Sequence, residues 1–453
     1  MGLNPTLFES LWERLWMLPV LVFFFLIGLF LTCTIRFAPF FHLIRILRDF
    51  REQKKKTKRN GEIGFYQSMM TNIASAIGAG TITGIACGLM EGGIGSLFWM
   101  WVFSLIFMVI KYCEALLGSK YRVKNYQGEY VGGPMQYMEH GLKAKWAGAL
   151  YACITVFAAT CVINVVQAHS VVDAADLLLG VPPMITALFL AAILAIVLLH
   201  GVRRVATIVT VVLPIGMFLY VGVAVFVLCH FYAQIPELFS AIYKAAFSGQ
   251  AASKGFFGAT LFSALYTGIE RNFICTEAGL GACSIASAAT RTPSPVHQAV
   301  VISLGSICAT TVLCTVTGLV IVLSGAMGEC CSEGIPLDGM ALVLKAFDMA
   351  VPGGRYIVTG ISALFAFASV LSWAYYGERA FAYLSREKGI KGYRFLYAFL
   401  SIPAAFLSLD QVWQMAGIVS LCMLILNLFA LYFLSPEIKE DTLIFLERKT
   451  SCS

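Results

Sequence analysis

Stretches of about 20 mostly apolar residues recur along nearly the whole chain, and this recurrence fixes the solvent in which it can fold. A helix needs about 20 such residues to cross the hydrocarbon core of a bilayer. Eleven stretches qualify, near residues 15–36, 65–89, 94–117, 146–170, 183–200, 204–230, 257–290, 297–325, 356–380, 394–409 and 414–434. Lipid offers the backbone no hydrogen bonds, so stretches of this length are read as helices. Only 13% of the residues are charged, against roughly a quarter in soluble proteins. The expectation is an all-α polytopic membrane protein with 11 transmembrane helices in a lipid bilayer. A soluble globule, a disordered chain, a coiled coil and a disulfide scaffold are excluded. Glu9, Glu13 and Arg14 precede the first stretch without a basic segment, so it reads as a retained span and not a cleaved leader.

Basic residues give the orientation. With the N-terminus outside, the loops placed inside carry 26 Lys and Arg and those outside carry 5, with Arg271 inside a span. Such asymmetry marks the cytoplasmic side of a cell membrane, here of the bacterial inner-membrane type, with the C-terminus cytoplasmic. The net charge of +7 therefore belongs to topogenic loops near lipid headgroups, and no nucleic-acid partner is expected.

Two spans differ from the others. Residues 65–89 contain Ser75-Ala76-Ile77-Gly78-Ala79-Gly80-Thr81, then Gly84 and Gly88. Residues 257–290 contain Gly268, Glu270-Arg271-Asn272 and Glu277-Ala278-Gly279-Leu280-Gly281. Glycine weakens helices by up to ~1 kcal/mol each, and charges within a span cost several kcal/mol. An unwound stretch buried in protein accommodates both, so two discontinuous helices are expected. Each opens a group of five spans, and an odd number of crossings inverts the second group relative to the first. Inverted repeats beginning with broken helices point to a secondary transporter. The expected divisions are residues 1–60 (an extra span and basic loop), 61–256 (first repeat), 257–436 (inverted repeat) and 437–453 (tail). Packing of small residues through Gly80, Gly84 and Gly88 is the plainer reading of the first glycines.

Other classes lack their signatures. The six His are scattered without a zinc or catalytic spacing, and no phosphate-binding glycine loop is present, so neither an enzyme nor an ATP-driven pump is expected. Repeated filter elements of a channel are missing. The 14 Cys lie mostly singly in apolar runs, apart from the vicinal Cys330 and Cys331. Lys111, Glu114, Glu378 and Arg379 read as anchors at span ends.

Six strings carry a family resemblance: Gly92-Gly93-Ile94-Gly95 with Phe98-Trp99-Met100-Trp101; Lys111-Tyr112-Cys113-Glu114-Ala115; Gly132-Gly133-Pro134-Met135 with Tyr137 and Glu139; Asn164-Val165-Val166-Gln167-Ala168; Glu277-Ala278-Gly279-Leu280-Gly281; and Phe365-Ala366-Phe367 through Trp373-Ala374-Tyr375-Tyr376-Gly377-Glu378. In this order they resemble the alanine or glycine:cation symporter family, with a LeuT-type fold of five plus five inverted helices. The resemblance spans about residues 65–434. It implies sodium-coupled uptake of a small neutral amino acid by alternating access, with no cofactor besides the coupling ion. Proton-coupled or uncoupled carriage of the same substrates is the alternative.

The resemblance also implies sites. Gly78, Ala79, Gly80 and Thr81 would hold the substrate carboxylate through backbone N–H groups, with Gln167 presenting its amide and Thr276 lying nearby. Trp373, Phe273 and Ile274 would line the side-chain pocket. Sodium would sit among the Ala74 and Ile77 carbonyls and the Ser369 and Ser372 hydroxyls. Glu270, Arg271 and Glu277 would form a gating or structural charge network. This chain departs from the family pattern at Ala79, Thr81, Asn272, Ile274, Cys275, Thr276 and Ala368. Glu270, standing where the family has a small residue, is a candidate for proton coupling.

Overall fold

The computed structural model describes residues 18–37, 64–126, 128–247, 261–290, 292, 294–330, 336–406 and 409–450. The basic segment 45–59 and Cys331 lie outside these residues. The order is α1 (Leu18–Thr34), α2 (Phe65–Ala76), α3 (Ala79–Gly92), α4 (Ser96–Lys120), a short hairpin of β1 (Val123–Lys124) and β2 (Tyr130–Val131), α5 (Pro134–His140) and α6 (Lys145–Phe157). A π-helical turn (Ala158–Ile163) leads into α7 (Asn164–Leu179), followed by α8 (Pro183–Leu199), α9 (Val202–His230), α10 (Ile235–Phe247), α11 (Leu261–Thr276) and α12 (Ala282–Ala288). Then come α13 (Pro295–Leu323), α14 (Gly339–Ala350), α15 (Gly354–Ser385), α16 (Ile390–Phe399), α17 (Leu409–Phe433) and α18 (Ser435–Thr450).

Among the described residues, six helical segments are long and apolar enough to cross a membrane, and a seventh is counted when α2 and α3 are taken as one span bent by 45°. The stretch expected at 394–409 is not one continuous helix. The α16 helix has only 10 residues, about 15 Å of rise, and a 3-10 turn over Ile402–Ala405 follows it. Pro403 lies in that turn, and proline supplies no N–H to continue a helical ladder.

Two packed groups meet at the centre. In one, α4 lies along α13 and also contacts α11 and α12, while α3 packs on α11 and α2 on α13. In the other, α7 and α9 pack on α15, and α8 packs on α16. The two are joined where α2 touches both α9 and α15. The seam between α4 and α13 is polar in several places. Trp101 donates to Thr315 Oγ1 at 2.8 Å, Thr311 to Ser104 Oγ at 3.1 Å, and Lys111 Nζ to Ser306 Oγ at 3.0 Å. Without a hydrophobic driving force between helices in lipid, such bonds and close packing hold spans together.

Lys111 corrects the sequence reading. It lies within α4, nine residues before that helix ends, and is 1% exposed. Glu114 on the same helix is fully buried. Neither is a boundary anchor. The end of α4 is anchored instead by Lys120, which pairs with Glu437 and Asp441 of α18 at 2.8 Å each. Tyr121 adds a hydrogen bond to Glu437 at 2.5 Å. Partial burial pushes the Glu437 carboxyl up, but the Lys120 and Tyr121 bonds outweigh it and hold the group below its ordinary range.

Glycine sets the closest approach of α4 to α12. A Cβ on Gly118 would meet the Ser284 carbonyl oxygen at 2.4 Å. Gly118→Ala is therefore expected to destabilise the fold by about 1–3 kcal/mol, as overpacking does. Thermal unfolding of the detergent-solubilised protein checks this, and an unchanged midpoint would contradict the close contact.

Candidate functional site

The first break follows from the chemistry of helix ends. Because α2 stops at Ala76, its last carbonyls lose their intrahelical partners. Ser369 of α15 donates to the Ser75 carbonyl at 3.2 Å, and Thr81 donates across the break to the Ala76 carbonyl at 2.6 Å. On the other side the first N–H groups of α3 have no helical turn before them, and that of Thr81 reaches the Gly78 carbonyl at 3.2 Å. The Ala79 N–H donates to Gln167 Oε1 of α7 at 3.1 Å. Gly78 makes this possible, because a Cβ there would lie 2.4 Å from Gln167 Nε2. A neutral amide thus occupies the positive end of α3, where an anion is the better acceptor.

The second break is held more firmly. Between α11 and α12 the chain turns through Glu277, Gly279 and Gly281 with φ values of 51°, 90° and 81°. Glycine adopts that region freely, whereas Glu277 does so at a cost. Its Oε1 accepts a hydrogen bond from the Trp373 indole at 3.1 Å. The buried Glu114 carboxylate accepts from the Gly281 N–H (2.9 Å), Asn427 Nδ2 (2.7 Å) and the Cys283 thiol (3.0 Å). Asn427 also donates to the Gly279 carbonyl at 2.7 Å, and the Tyr151 hydroxyl donates to the Leu280 carbonyl. Tyr137 of α5 donates to Asn427 Oδ1.

The breaks adjoin each other. The Cys275 thiol donates to the Thr81 carbonyl at 3.7 Å, and a Cβ on Gly84 would lie 3.6 Å from Cys275 Sγ. The glycines of α3 therefore serve close packing against α11 as well. The two unwound segments thus adjoin where the two helical groups meet. Among the described residues no cluster of three or more His, Cys, Asp or Glu forms a metal site.

The sequence profile of the sodium:alanine symporter family matches residues 3–452. The chain belongs to the sodium:alanine symporter family. It is a membrane transporter of the amino-acid-transporting kind and not an enzyme. This family member is 36% identical to the sodium/alanine symporter AgcS of Methanococcus maripaludis, over 93% of this chain and 92% of that protein. An uncharacterized transporter of Haemophilus influenzae is 35% identical over 96% of this chain and 94% of its own length. The probable sodium/glutamine symporter GlnT of Bacillus subtilis is 31% identical over 95% and 87%. Among solved structures, MhsT in complex with L-phenylalanine aligns with a TM-score of 0.56 at 14% identity, covering 83% of this chain and 90% of that one. A manganese transporter of Eremococcus coleocola aligns with a TM-score of 0.52 at 13% identity, over 82% and 76%. These likenesses show a shared LeuT-type fold.

Within this symporter family member, the residues named from the sequence fall into three settings. Gly78, Ala79, Thr81 and Gln167 meet at the first break, where Gly80 is also buried. Thr276 turns its hydroxyl to the Asn272 carbonyl of its own helix at 2.7 Å. Phe273 packs edge-on against Phe24 of α1, ring centroids 5.5 Å apart, and Ile274 is half-buried. Ser369 reaches α2, whereas Ser372 bonds to the Ala368 carbonyl of its own helix at 3.0 Å. The charge network divides. Arg271 forks onto Glu91 at 2.6 Å and interacts electrostatically with Glu270, while Glu277 belongs to the second break with Trp373.

Sequence reasoning did not bring Glu114, Lys111, Asn427, Tyr137 and Tyr151 to a break. A signal existed for Glu114 and Lys111, since charges inside an apolar run mark interior sites by default. Asn427 carried a signal too, an amide inside the apolar run 414–434, but its partners, 148 and 313 positions away, could not be read locally.

Two substitutions test this geometry. Gly78→Ala is expected to expel the Gln167 amide and abolish substrate binding while the protein still inserts. Glu114→Ala is expected to cost at least ~3 kcal/mol, as loss of a buried charged hydrogen-bond partner does. Ligand binding and thermal unfolding of the two purified variants separate the effects, and wild-type binding by Gly78→Ala would contradict the assigned contact.

Proposed function

We propose that this chain is a sodium-coupled symporter of a small neutral amino acid, alanine or glycine, working by alternating access. The observation that carries the reading is the Gln167 amide on the first N–H of α3, at a break adjoining a second break. A substrate carboxylate is a stronger acceptor than a neutral amide for that N–H. It would take the place of Gln167 Oε1 at Ala79, with Gly80 and Thr81 in the same helical turn. The displaced Gln167 side chain, still in reach, would turn its own N–H donors to the substrate. Trp373 and Ile274 would limit the substrate side chain, with Phe273 acting behind them through its packing on α1.

The first sodium would use carbonyls freed at the end of α2, from Ala74 and Ile77, together with the Ser369 hydroxyl. Ser369 already touches that chain end through Ser75, and Ser372 would join by turning away from its own helix. Hard cations favour such oxygen sets. The names of AgcS and of the matching family support sodium and alanine in these roles.

In this reading the chain makes 11 crossings, one span ahead of two inverted groups of five. The N-terminus is outside and the C-terminus is cytoplasmic in a bacterial inner membrane, with divisions at 60, 256 and 436. Alternating access is a relative motion of the two packed groups about the breaks between them.

Labelled alanine uptake into proteoliposomes tests the proposal. Accumulation is expected under an inward sodium gradient and not under choline. Gln167→Ala is expected to raise the alanine concentration for half-maximal uptake about tenfold, in line with losing one to two hydrogen bonds to a charged group. Uptake that ignores sodium and collapses with a protonophore would replace sodium coupling by proton coupling.

A further inference from the structure

We infer that Glu277, with Ser75 and Asn72, forms a second monovalent-cation site, carrying a negative charge and lying apart from the Ala74, Ile77 and Ser369 oxygens. The inference rests on the symport reading and adds an ion site at the second break.

The argument is a charge account of the buried groups. Lys111, Glu114 and Glu277 interact electrostatically with one another. With both carboxyls ionised, two carboxylates and one ammonium leave one negative charge to be balanced. Glu114 is satisfied, accepting from Gly281, Asn427 and Cys283. Lys111 donates to the neutral Ser306 hydroxyl at 3.0 Å. The deficit therefore falls on Glu277. Its Oε1 has the Trp373 indole, but its buried Oε2 has no hydrogen-bond partner. A buried carboxylate oxygen without a partner is costly unless something occupies it.

The neighbouring oxygens favour a cation. The Ser75 hydroxyl lies within hydrogen-bonding range of both the Glu277 carboxyl and the Asn72 carbonyl, the latter at 2.9 Å, and Tyr376 donates to its oxygen at 3.4 Å. Ser75 has one proton for two acceptors, and its oxygen keeps a lone pair free for an ion. Asn72 lies three residues earlier, on the same helical face. It is 1% exposed, and both atoms of its side-chain amide lack partners. A proton on Oε2 would serve one oxygen. A hard monovalent cation such as sodium draws lone pairs from the Glu277 carboxylate, the Ser75 hydroxyl and the Asn72 amide oxygen together. These groups come from both broken spans, so a bound ion ties the breaks to each other. The Trp373 bond carries its presence to the residue expected to line the substrate pocket.

Sodium titration of the purified protein without any amino acid tests the site, followed by thermal unfolding at constant ionic strength with potassium as control. A ligand that binds only the folded state raises the midpoint with its concentration. Sodium is expected to raise it in the wild type, and potassium is not. Glu277→Gln is expected to raise the sodium concentration for half the effect about tenfold or more, since a charge-assisted contact is lost. Asn72→Leu is the second variant, because removing two unpartnered polar atoms favours folding while removing a ligand. Its half-effect concentration is expected to rise about fivefold. Unchanged sodium responses in both variants overturn the inference, as does a wild type equally responsive to potassium. Sodium-driven alanine uptake by the wild type, measured in parallel, reports on the symport reading separately.

Discussion

Backbone polar groups released inside a membrane must find partners within the protein, and the architecture around both breaks follows from that need. At the first break, Ser369, Thr81 and Gln167 supply them from α15, α3 and α7. At the second, Glu114, Asn427 and Tyr151 supply them from α4, α17 and α6. Each partner comes from a helix that has to be held at close range, so the breaks organise the helices around them.

The two sets of partners differ in chemistry. The second break is held by a buried carboxylate with three donors, an arrangement that is costly to disturb. At the first, the N–H end of α3 is held by a single neutral amide, which a ligand can displace at the cost of one hydrogen bond. The second break is thus the more firmly held of the two.

Family membership came from strings that make physical sense in place. Gly132-Gly133-Pro134 begins α5, whose Tyr137 reaches Asn427. Lys111 and Glu114 of another string are interior charges. The Glu277 to Gly281 string is the second unwound segment itself. Departures from the family pattern also have local accounts. Asn272 donates to the Met100 carbonyl at 2.8 Å and to Ser104 Oγ at 3.1 Å, fastening α11 to α4. Cys275 fastens α11 to the Thr81 carbonyl of α3.

Apolar periodicity, glycine placement and basic asymmetry are local properties, so the sequence alone determined a helical membrane transporter and located both unusual spans. Gly78, Ala79 and Thr81 were named by the family resemblance alone, and Gln167 also because an amide within an apolar run is costly unless paired. The sequence reading placed Lys111 and Glu114 at a boundary, although charges inside an apolar run mark interior sites by default. Only the tertiary structure decided that Arg271 turns to Glu91 and Glu277 to Trp373, six residues further along. Only it joined Asn427 to residues 148 and 313 positions away. Buried polar groups choose partners by distance in space and by unmet hydrogen-bonding capacity, and neither quantity exists until the helices have packed.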